Sequence, residues 1–258
     1  MSIAVDLNSD VGESYGVWML GDDEHVLDYV TSANVACGFH AGDPQVMLAT
    51  VRAARDHGVA VGAHPGYPDL IGFGRRAMTC TPNEVYAFCL YQIGALAALC
   101  HAEDVPLCHV KAHGALYNQS AKDPLLASAL AQAIRDAAPG LILLGLPNSQ
   151  HETAAHETGI PFAAEAFGDR AYQADGSLVA RVHEGSLLQD PEAVAARVVR
   201  MVTEKTVETA QGEVIAIRAD SICVHGDNPA ARPILEAVRR ALAEAGVHVS
   251  PTREVLSP

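Results

Sequence analysis

Ionisable and amide side chains recur where short apolar segments end, just before a helical pattern begins. The set comprises Asp10, His64, Lys111, His113, Glu165, His225 and Asp227, together with Asn8, Asn34, His40 and Arg170. Carboxylates and imidazoles can carry protons, while lysine and arginine can hold an anion. Charges within apolar strands are costly to bury unless they are paired. Their repetition at the same position in several segments therefore favours a functional site.

Part of this set also has the composition of a metal site. One aspartate and two histidines from strand ends can bind a divalent metal, and Asp10, His40 and His64 could supply them. A metal-dependent deacetylase is therefore one alternative function. A second alternative is a non-catalytic protein that only holds a small ligand for its partners, although the density of ionisable groups argues against it.

Seven short segments rich in Val, Ile, Leu, Ala or Cys are predicted strands: 3–9, 33–39, 59–64, 107–112, 141–146, 161–166 and 220–225. Helical patterns lie between them, and several begin with a capping side chain before a proline. These predicted starts are Asp43-Pro44, Thr81-Pro82, Asp123-Pro124, Asp190-Pro191 and Asn228-Pro229. The stretch 168–189 is irregular, which indicates an extended excursion or a small hairpin.

Alternating strands and helices are typical of a parallel α/β architecture. The pattern predicts a single domain, 1–258, that forms a (β/α) barrel of about seven parallel strands. A doubly wound open sheet is the alternative, because periodicity does not show closure. In a barrel, the polar strand ends lie on one face, which is where such folds carry their active sites. Alternation also places Asp6, Asn8 and Asp10 on one side of their strand, and Lys111 and His113 on one side of theirs.

Composition excludes several classes of partner. The formal net charge is -14, whereas nucleic-acid binding needs clustered lysine and arginine, so we expect no nucleic-acid partner. No apolar run approaches the roughly 20 residues that span a bilayer, so we expect no membrane partner. The first residues lack the basic segment of a signal peptide. The six cysteines include no C-x-x-C pair and are expected to be free thiols, which together predict a cytoplasmic protein.

Several motifs together resemble the LamB/YcsF family. They are DLNSDVGES (6–14), NVACGFHAGDP (34–44), GAHPGYPD (62–69), GFGRR (72–76), KAHGALYN (111–118), DRAY (169–172) and CVHGDNP (223–229). The resemblance covers nearly the whole chain in order. Ala112 and Gly168 depart from the family pattern, as does the stretch 181–188, and these departures affect the expected details of the cavity rim.

The resemblance implies a seven-stranded, deacetylase-like barrel and a role as the A subunit of an ATP-dependent 5-oxoprolinase. With its B and C subunits, such an enzyme converts 5-oxo-L-proline, ATP and two waters into L-glutamate, ADP and phosphate. The base would be Asp10, Glu165 or Asp227, and His64, His113 and His225 would carry or donate protons. Lys111 and Arg170 would hold carboxylate or phosphate, with Arg75 and Arg76 as weaker alternatives, and Asn8, Asn34 and His40 would contact the substrate.

ATP would be a co-substrate, accompanied by Mg²⁺. The sequence contains no G-x-x-x-x-G-K-[ST] segment, so a Walker-type phosphate loop is absent. ATP therefore binds here without that loop or on a partner protein. A cysteine nucleophile at Cys37 or Cys223 is a further alternative, less favoured than a buried thiol.

Overall fold

A computed structural model describes residues 3–257, and its centre is a closed barrel of seven parallel strands. The barrel strands are β1 (Ala4–Val11), β2 (Ser32–Ala36), β3 (Ala60–His64), β4 (Leu107–Val110), β5 (Ile142–Gly145), β6 (Phe162–Phe167) and β9 (Ser221–Cys223). Each predicted strand corresponds to one of them. Their residues are buried almost throughout, as parallel strands covered by helices require.

Pairing between the first and last barrel strands closes the sheet. The order runs β1-β2-β3-β4-β5-β6-β9, and β9 also pairs in parallel with β1, with Asn8 opposite Cys223. The alternative of an open, doubly wound sheet is therefore wrong. Closure places the carboxyl ends of all seven strands around one opening, which brings together the polar residues that follow them.

The helices that surround the barrel are α1 (Asp23–Leu27), α2 (Pro44–Asp56), α3 (Pro82–Ala102), α4 (Gly114–Ser120), α5 (Pro124–Ala137), α6 (Gln150–Thr158), α7 (Pro191–Thr203) and α8 (Ala231–Glu244). Four of the five predicted helix starts are confirmed, each with an aspartate or threonine side chain capping a proline-led first turn. The start at Asn228-Pro229 is wrong. Asn228 Oδ1 accepts the N–H of Ala230 in a turn, and α8 begins at Ala231.

Four short elements complete the chain. An antiparallel hairpin of β7 (Thr206–Glu208) and β8 (Val214–Ala216) follows α7, and β10 (His248–Val249) pairs in parallel with the start of β1. The final helix is α9 (Thr252–Val255). The irregular stretch 168–189 is an extended excursion with two isolated bridges, Arg170 to Leu187 and Tyr172 to Leu178.

Helix α3 is more apolar than the sequence analysis expected. This helix has 21 residues, and an 18-residue window within it has a mean hydropathy of 1.5, so it is long and apolar enough to cross a membrane by length and composition. The expectation that no apolar run approaches that length is therefore wrong. In the structure α3 packs against α5, and Ile93 and Leu96 lie in the core. Gln92 of this helix exchanges hydrogen bonds with the backbone of Gly66, which connects α3 to a loop at the barrel mouth.

Candidate active site

A column of buried polar side chains runs along the inside of β1. Asp6, Asn8 and Asp10 alternate with apolar Val5 and Leu7 and point into the barrel. Asn8 Oδ1 accepts from Asn34 Nδ2 at 2.7 Å, and Asn34 Oδ1 accepts from His109 Nε2 at the same distance. These bonds satisfy amides that would otherwise be costly to bury, and they connect three strands beneath the cavity.

Lys111 follows β4 and lies at the upper end of this column. Its Nζ donates to Asp10 Oδ1 at 2.9 Å and lies 2.8 Å from Glu165 Oε1. It also lies 3.1 Å from Cys223 Sγ. All of these side chains are buried, so the lysine is enclosed between two carboxylates that fix its position.

The ion pairs decide the charge state of this cluster. Burial alone would lower the pKa of Lys111, but the carboxylates of Asp10 and Glu165 raise it well above its usual value. Burial would likewise raise the pKa of Asp10, yet the charges of His64 and Lys111 hold it well below its usual range. Lys111 is therefore a fixed cation rather than a proton acceptor, and Asp10 is an ionised carboxylate.

His64 and His113 face each other across the mouth of the barrel. His64 Nδ1 donates to the carbonyl of Lys111 at 2.7 Å, and His113 Nε2 donates to the carbonyl of Phe73 at 2.8 Å. Their remaining nitrogens, His64 Nε2 and His113 Nδ1, are 3.0 Å apart. Burial lowers the pKa of His113 well below its usual value, so this imidazole is neutral.

Glu13 and His40 complete the histidine cluster. Glu13 Oε1 lies 3.5 Å from His113 Nδ1 and 3.7 Å from His40 Nε2, and it has no hydrogen-bond partner among residues 3–257. His40 stacks on His113 with ring centroids 3.7 Å apart and an interplanar angle of 5°. Burial lowers the pKa of His40 well below its usual value, so the stacked pair is uncharged.

His225 is oriented by a buried carboxylate. Its Nδ1 donates to Asp169 Oδ1 at 2.9 Å, and its backbone N–H donates to the other carboxylate oxygen at 3.2 Å. Asn228 Nδ2 also donates to Asp169, and the His225 ring stacks on Phe167. This arrangement holds a proton on Nδ1, so that Nε2 is the ring nitrogen available to accept a proton.

Asp227 joins three loops at the rim. It accepts from Arg75 Nη2 at 2.6 Å and from Arg181 Nη1 at 3.2 Å. Burial would raise its pKa, but Arg181 and Arg75 hold the pKa below its usual value. Arg170 is similarly occupied, because its guanidinium donates to the carbonyls of Ser186 and Val179. Asp227 thus fixes rim loops, and Arg170 organises the excursion.

These groups surround a cavity of about 910 Å³ at the carboxyl end of the barrel. This volume lies within the range of about 300–1,000 Å³ that is typical of small-molecule sites. Among the residues that line it are Asp10, His64, Lys111, His113, Arg170 and His225. The structure therefore brings together six of the predicted site residues at one surface, as the barrel interpretation required.

The other five predicted residues lie around the cavity rather than on its wall. Asn8, Asn34 and Glu165 are below it, His40 is behind His113, and Asp227 is at the rim. The predicted metal residues fall in two neighbouring groups: Asp10 with Cys223 and His225, and His40 and His64 with Glu13 and His113, with Asp10 Oδ2 3.5 Å from His64 Nε2. The roles that the sequence suggested for these residues stay predictions.

Glu13, His109 and Asp169 belong to the site but were not predicted from the sequence. Strand alternation could have found His109, since it lies two residues before Lys111 on the same side of β4. Glu13 and Asp169 follow their strands immediately, but which loop residues turn inward depends on backbone conformations that the sequence pattern does not reveal.

Two cysteines near the site are buried thiols. Cys37 and Cys223 are fully buried, and burial raises the pKa of both, to about 12 for Cys37. A thiol must ionise to act as a nucleophile. The buried-thiol interpretation therefore accounts for both residues better than a nucleophilic role.

A closed parallel barrel with convergent ionisable groups at its carboxyl end defines an enzyme-type (β/α)-barrel protein. More specifically, the chain belongs to the LamB/YcsF family, whose sequence profile matches residues 5–257. It is 53% identical to a 5-oxoprolinase A subunit from Symbiobacterium thermophilum over 95% of this chain and 94% of that protein. It is 52% identical to the protein of the same name from Pyrococcus abyssi over 98% and 99% of the two chains.

Solved structures agree with this assignment. The lactam utilization protein from Thermus thermophilus superposes with a TM-score of 0.91 at 50% identity, over 96% of this chain and 99% of that one. A family 4 carbohydrate esterase from Streptomyces lividans superposes with a TM-score of 0.51 at 12% identity, over 96% and 91% of the two chains. At that identity the esterase shows a shared barrel fold alone.

Proposed function

We propose that this chain is the A subunit of a cytoplasmic, ATP-dependent 5-oxoprolinase. With the B and C subunits it would convert 5-oxo-L-proline, ATP and two waters into L-glutamate, ADP and phosphate. The names of its relatives support the reaction, since proteins about half identical over nearly the full length are called 5-oxoprolinase A subunits. Hydrolase chemistry on a small cyclic amide is consistent with the cavity.

The observation that carries this proposal is the charge of the cavity wall. The whole chain is acidic, with a formal net charge of -14. The described residues that line the cavity nevertheless include five basic residues and only two acidic ones. The basic residues are Arg75, Lys111, Lys122, Arg170 and Arg181, and the acidic ones are Asp10 and Asp175. Such a wall favours ligands with carboxylate or phosphate groups, and a phosphorylated 5-oxoproline carries both.

The reaction requires activation of a stable amide. Transfer of the γ-phosphoryl group of ATP to the lactam oxygen would give an activated imidate. Attack of water on its carbon and cleavage of the ring C–N bond would then yield γ-glutamyl phosphate, and a second water would release phosphate and glutamate. Each water needs a proton acceptor, and the nitrogen that leaves needs a proton.

The geometry suggests how the chain supplies these groups. His225 and Asp10 line the cavity as proton acceptors, with His225 held in one tautomer by Asp169. Lys111 supplies a permanent positive charge for the substrate carboxylate, the phosphoryl group or a developing oxyanion. Glu165 acts through Lys111, because it contacts the lysine and does not line the cavity.

We propose that this chain and its partner subunits together bind and use the nucleotide. The sequence lacks a Walker-type loop, so ATP and its Mg²⁺ would be held by the partner subunits or by the basic cavity wall. The chain would then complete lactam opening on a substrate that has been activated at or near its cavity.

The proposal is tested by reconstitution. The chain is mixed with candidate B and C subunits, ATP and 5-oxoproline, and glutamate formation is measured. We expect glutamate only when all three subunits are present. We also expect losses of about 10²–10⁴-fold for Asp10→Asn and His225→Gln, the range typical of lost proton transfer. The exposed His101→Gln serves as a matched control and should retain full turnover.

Three results would contradict the proposal in different ways. Turnover that does not require this chain would refute its role in the reaction. Full turnover in Asp10→Asn and His225→Gln, combined with tight 5-oxoproline binding, would indicate a non-catalytic binding role. Release of acetate from an acetylated sugar without ATP would indicate a deacetylase.

A further inference from the structure

Three atoms of the histidine cluster that can act as hydrogen-bond acceptors or metal ligands face one another. A backbone carbonyl accepts one ring N–H of each histidine, which leaves His64 Nε2 and His113 Nδ1 facing each other across 3.0 Å. Glu13 Oε1 is the third acceptor, 3.5 Å from His113 Nδ1. Three buried acceptors in such close contact repel one another unless a positive species lies between them.

We propose that His64, His113 and Glu13 form a binding site for one divalent transition-metal cation. A tetrahedral Zn²⁺ with bonds of about 2.0–2.1 Å has edges between ligand atoms of about 3.3 Å. The observed separations of 3.0 Å between the two nitrogens and 3.5 Å between nitrogen and carboxylate oxygen are close to that value. Two histidines and one glutamate are also a known set for a catalytic divalent metal.

The surroundings of both histidines match those of metal ligands. A histidine that binds a metal donates its other ring N–H to a carboxylate or a backbone carbonyl, which fixes the ring. Both rings do so here, and they lie at 89° to each other, so their lone pairs can converge on one point. The two rings line the cavity, and a cation between them could therefore polarise a carbonyl oxygen of a ligand held there.

His40 is not included among the ligands. Although one of its nitrogens is near the other acceptors, its ring is stacked parallel to His113 at 3.7 Å. One cation cannot lie in the planes of two parallel rings at that spacing. His40 instead packs behind His113, with Nε2 directed toward Glu13 Oε1 at 3.7 Å.

A single proton shared by the two imidazoles is the competing explanation. It would satisfy His64 and His113, whereas Glu13 Oε1, which has no hydrogen-bond partner among residues 3–257, would need a second proton, as burial and the charge of Asp10 raise the pKa of Glu13 well above its usual value. One cation serves all three acceptors at once. The geometry therefore favours a metal over a proton, and this inference does not depend on the reaction proposed above.

The experiment uses the full chain alone, stripped with a chelator and then titrated. Zn²⁺ is followed by calorimetry, and Co²⁺ is followed by the visible absorption of its tetrahedral complexes. We expect one ion per chain. We expect at least about 100-fold weaker binding for Glu13→Gln and for His113→Gln, which exceeds the usual cost of altering an outer-shell group. The exposed His101→Gln should bind like the unmodified chain.

Thermal melting of the stripped proteins shows whether each variant folds. If His113→Gln does not fold, the test rests on Glu13→Gln, which preserves the shape of the side chain. Absence of saturable binding at micromolar Zn²⁺ would overturn the proposal and leave the shared proton as the explanation. Unchanged binding in Glu13→Gln and His113→Gln would also overturn it, as would equal loss in His101→Gln. Glutamate formation by the reconstituted complex is measured separately, so failure here is distinguishable from failure of the proposed function.

Discussion

Asp169 decides which nitrogen of His225 carries the proton. The carboxylate accepts from Nδ1 and from the backbone N–H of the same residue, and it is fully buried. An amide at this position would present an N–H to the ring and favour the opposite tautomer, which removes the acceptor from the cavity side.

We therefore predict that Asp169→Asn lowers kcat of the reconstituted complex by about 10²–10⁴-fold while KM changes little. The pH profile of kcat is measured beside KM, because simple loss of folded protein would lower kcat without shifting the pH profile of the remaining activity. Asp190→Asn, which alters only the cap of α7, is the matched control. An unchanged kcat in Asp169→Asn would exclude His225 as the proton acceptor.

A second carboxylate, Asp23, links protein stability to pH. Its Oδ2 accepts from the backbone N–H of Gly12 at 2.7 Å, in the turn that precedes Glu13. Burial raises its pKa to about 6, with a smaller contribution from Asp22. Since the pKa of Asp23 is higher in the folded than in the unfolded chain, folding favours the protonated form. Stability is therefore lost as pH rises from the unfolded pKa through the folded pKa.

The direction of this stability change predicts how Asp23→Asn should behave. Between about pH 4 and pH 7, the melting temperature of the unmodified chain should fall relative to that of Asp23→Asn, which has no proton to lose. Melting curves in the presence of a chelator at several pH values measure the difference. The exposed Asp104→Asn should follow the unmodified chain. A constant difference between the Asp23→Asn and unmodified curves would contradict the raised pKa.

At the scale of elements, β3 contains a glycine because a histidine from β4 occupies the space beside it. A Cβ at Gly62 would overlap the imidazole of His109, whose Nε2 donates to Asn34. The glycine therefore makes room for a buried polar contact between neighbouring strands.

We predict that Gly62→Ala destabilises the protein by about 1–3 kcal/mol or more, as overpacking in a core does. Gly94→Ala is the matched control, since nothing lies within 4 Å of a Cβ there. Alanine inside a helix should stabilise by about 0.5–1 kcal/mol. Urea unfolding of both variants tests the contrast, and a neutral Gly62→Ala would mean that His109 moves freely.

The elements were predictable to different degrees. Barrel strands are short apolar runs with clear boundaries, and proline-led caps mark most helix starts, so both could be inferred from the sequence. The hairpin β7–β8 was not predicted, because its strands have three residues each and are largely exposed. The start of α8 was misplaced because Asn228 caps a turn, which has the same local signature as a helix cap.

The molecule as a whole is held together at the opposite end of the barrel by Asp6. Its carboxylate accepts hydrogen bonds from Thr31, Ser32, Ser221 and Thr252. These donors belong to the start of β2, to β9 and to the C-terminal α9. One side chain thus joins the first strand to its neighbours on both sides and to the end of the chain.

We predict that Asp6→Ala lowers the free energy of unfolding by about 3–5 kcal/mol, since several buried hydroxyls lose their acceptor. Thr252→Val removes one of the four donors and should cost about 1.5–3 kcal/mol, the usual value for a hydrogen bond to a charged group. Urea unfolding monitored by circular dichroism provides both values. Equal losses in the two variants would show that the carboxylate does not join the strands as described.

The location of the site was predictable from the sequence, but the grouping of its residues was only partly so. Convergence of Asp10, Lys111 and His225 followed from barrel topology, because parallel strands bring their ends to one opening. The grouping of Glu13 with His64 and His113 did not follow, since it depends on a turn with Gly12 at a φ of +69°. The alternation of strands and helices is visible in sequence periodicity, whereas the direction of a loop side chain is not.

The basic wall of the cavity has a kinetic consequence for a molecule that is otherwise strongly acidic. Small anions in solution are repelled by most of the surface, yet the field inside a low-dielectric cleft is dominated by the nearest charges. Capture is thereby directed to one opening, and encounter elsewhere on the surface is suppressed. The association rate constant of an anionic ligand should consequently fall as ionic strength shortens the range of this local attraction.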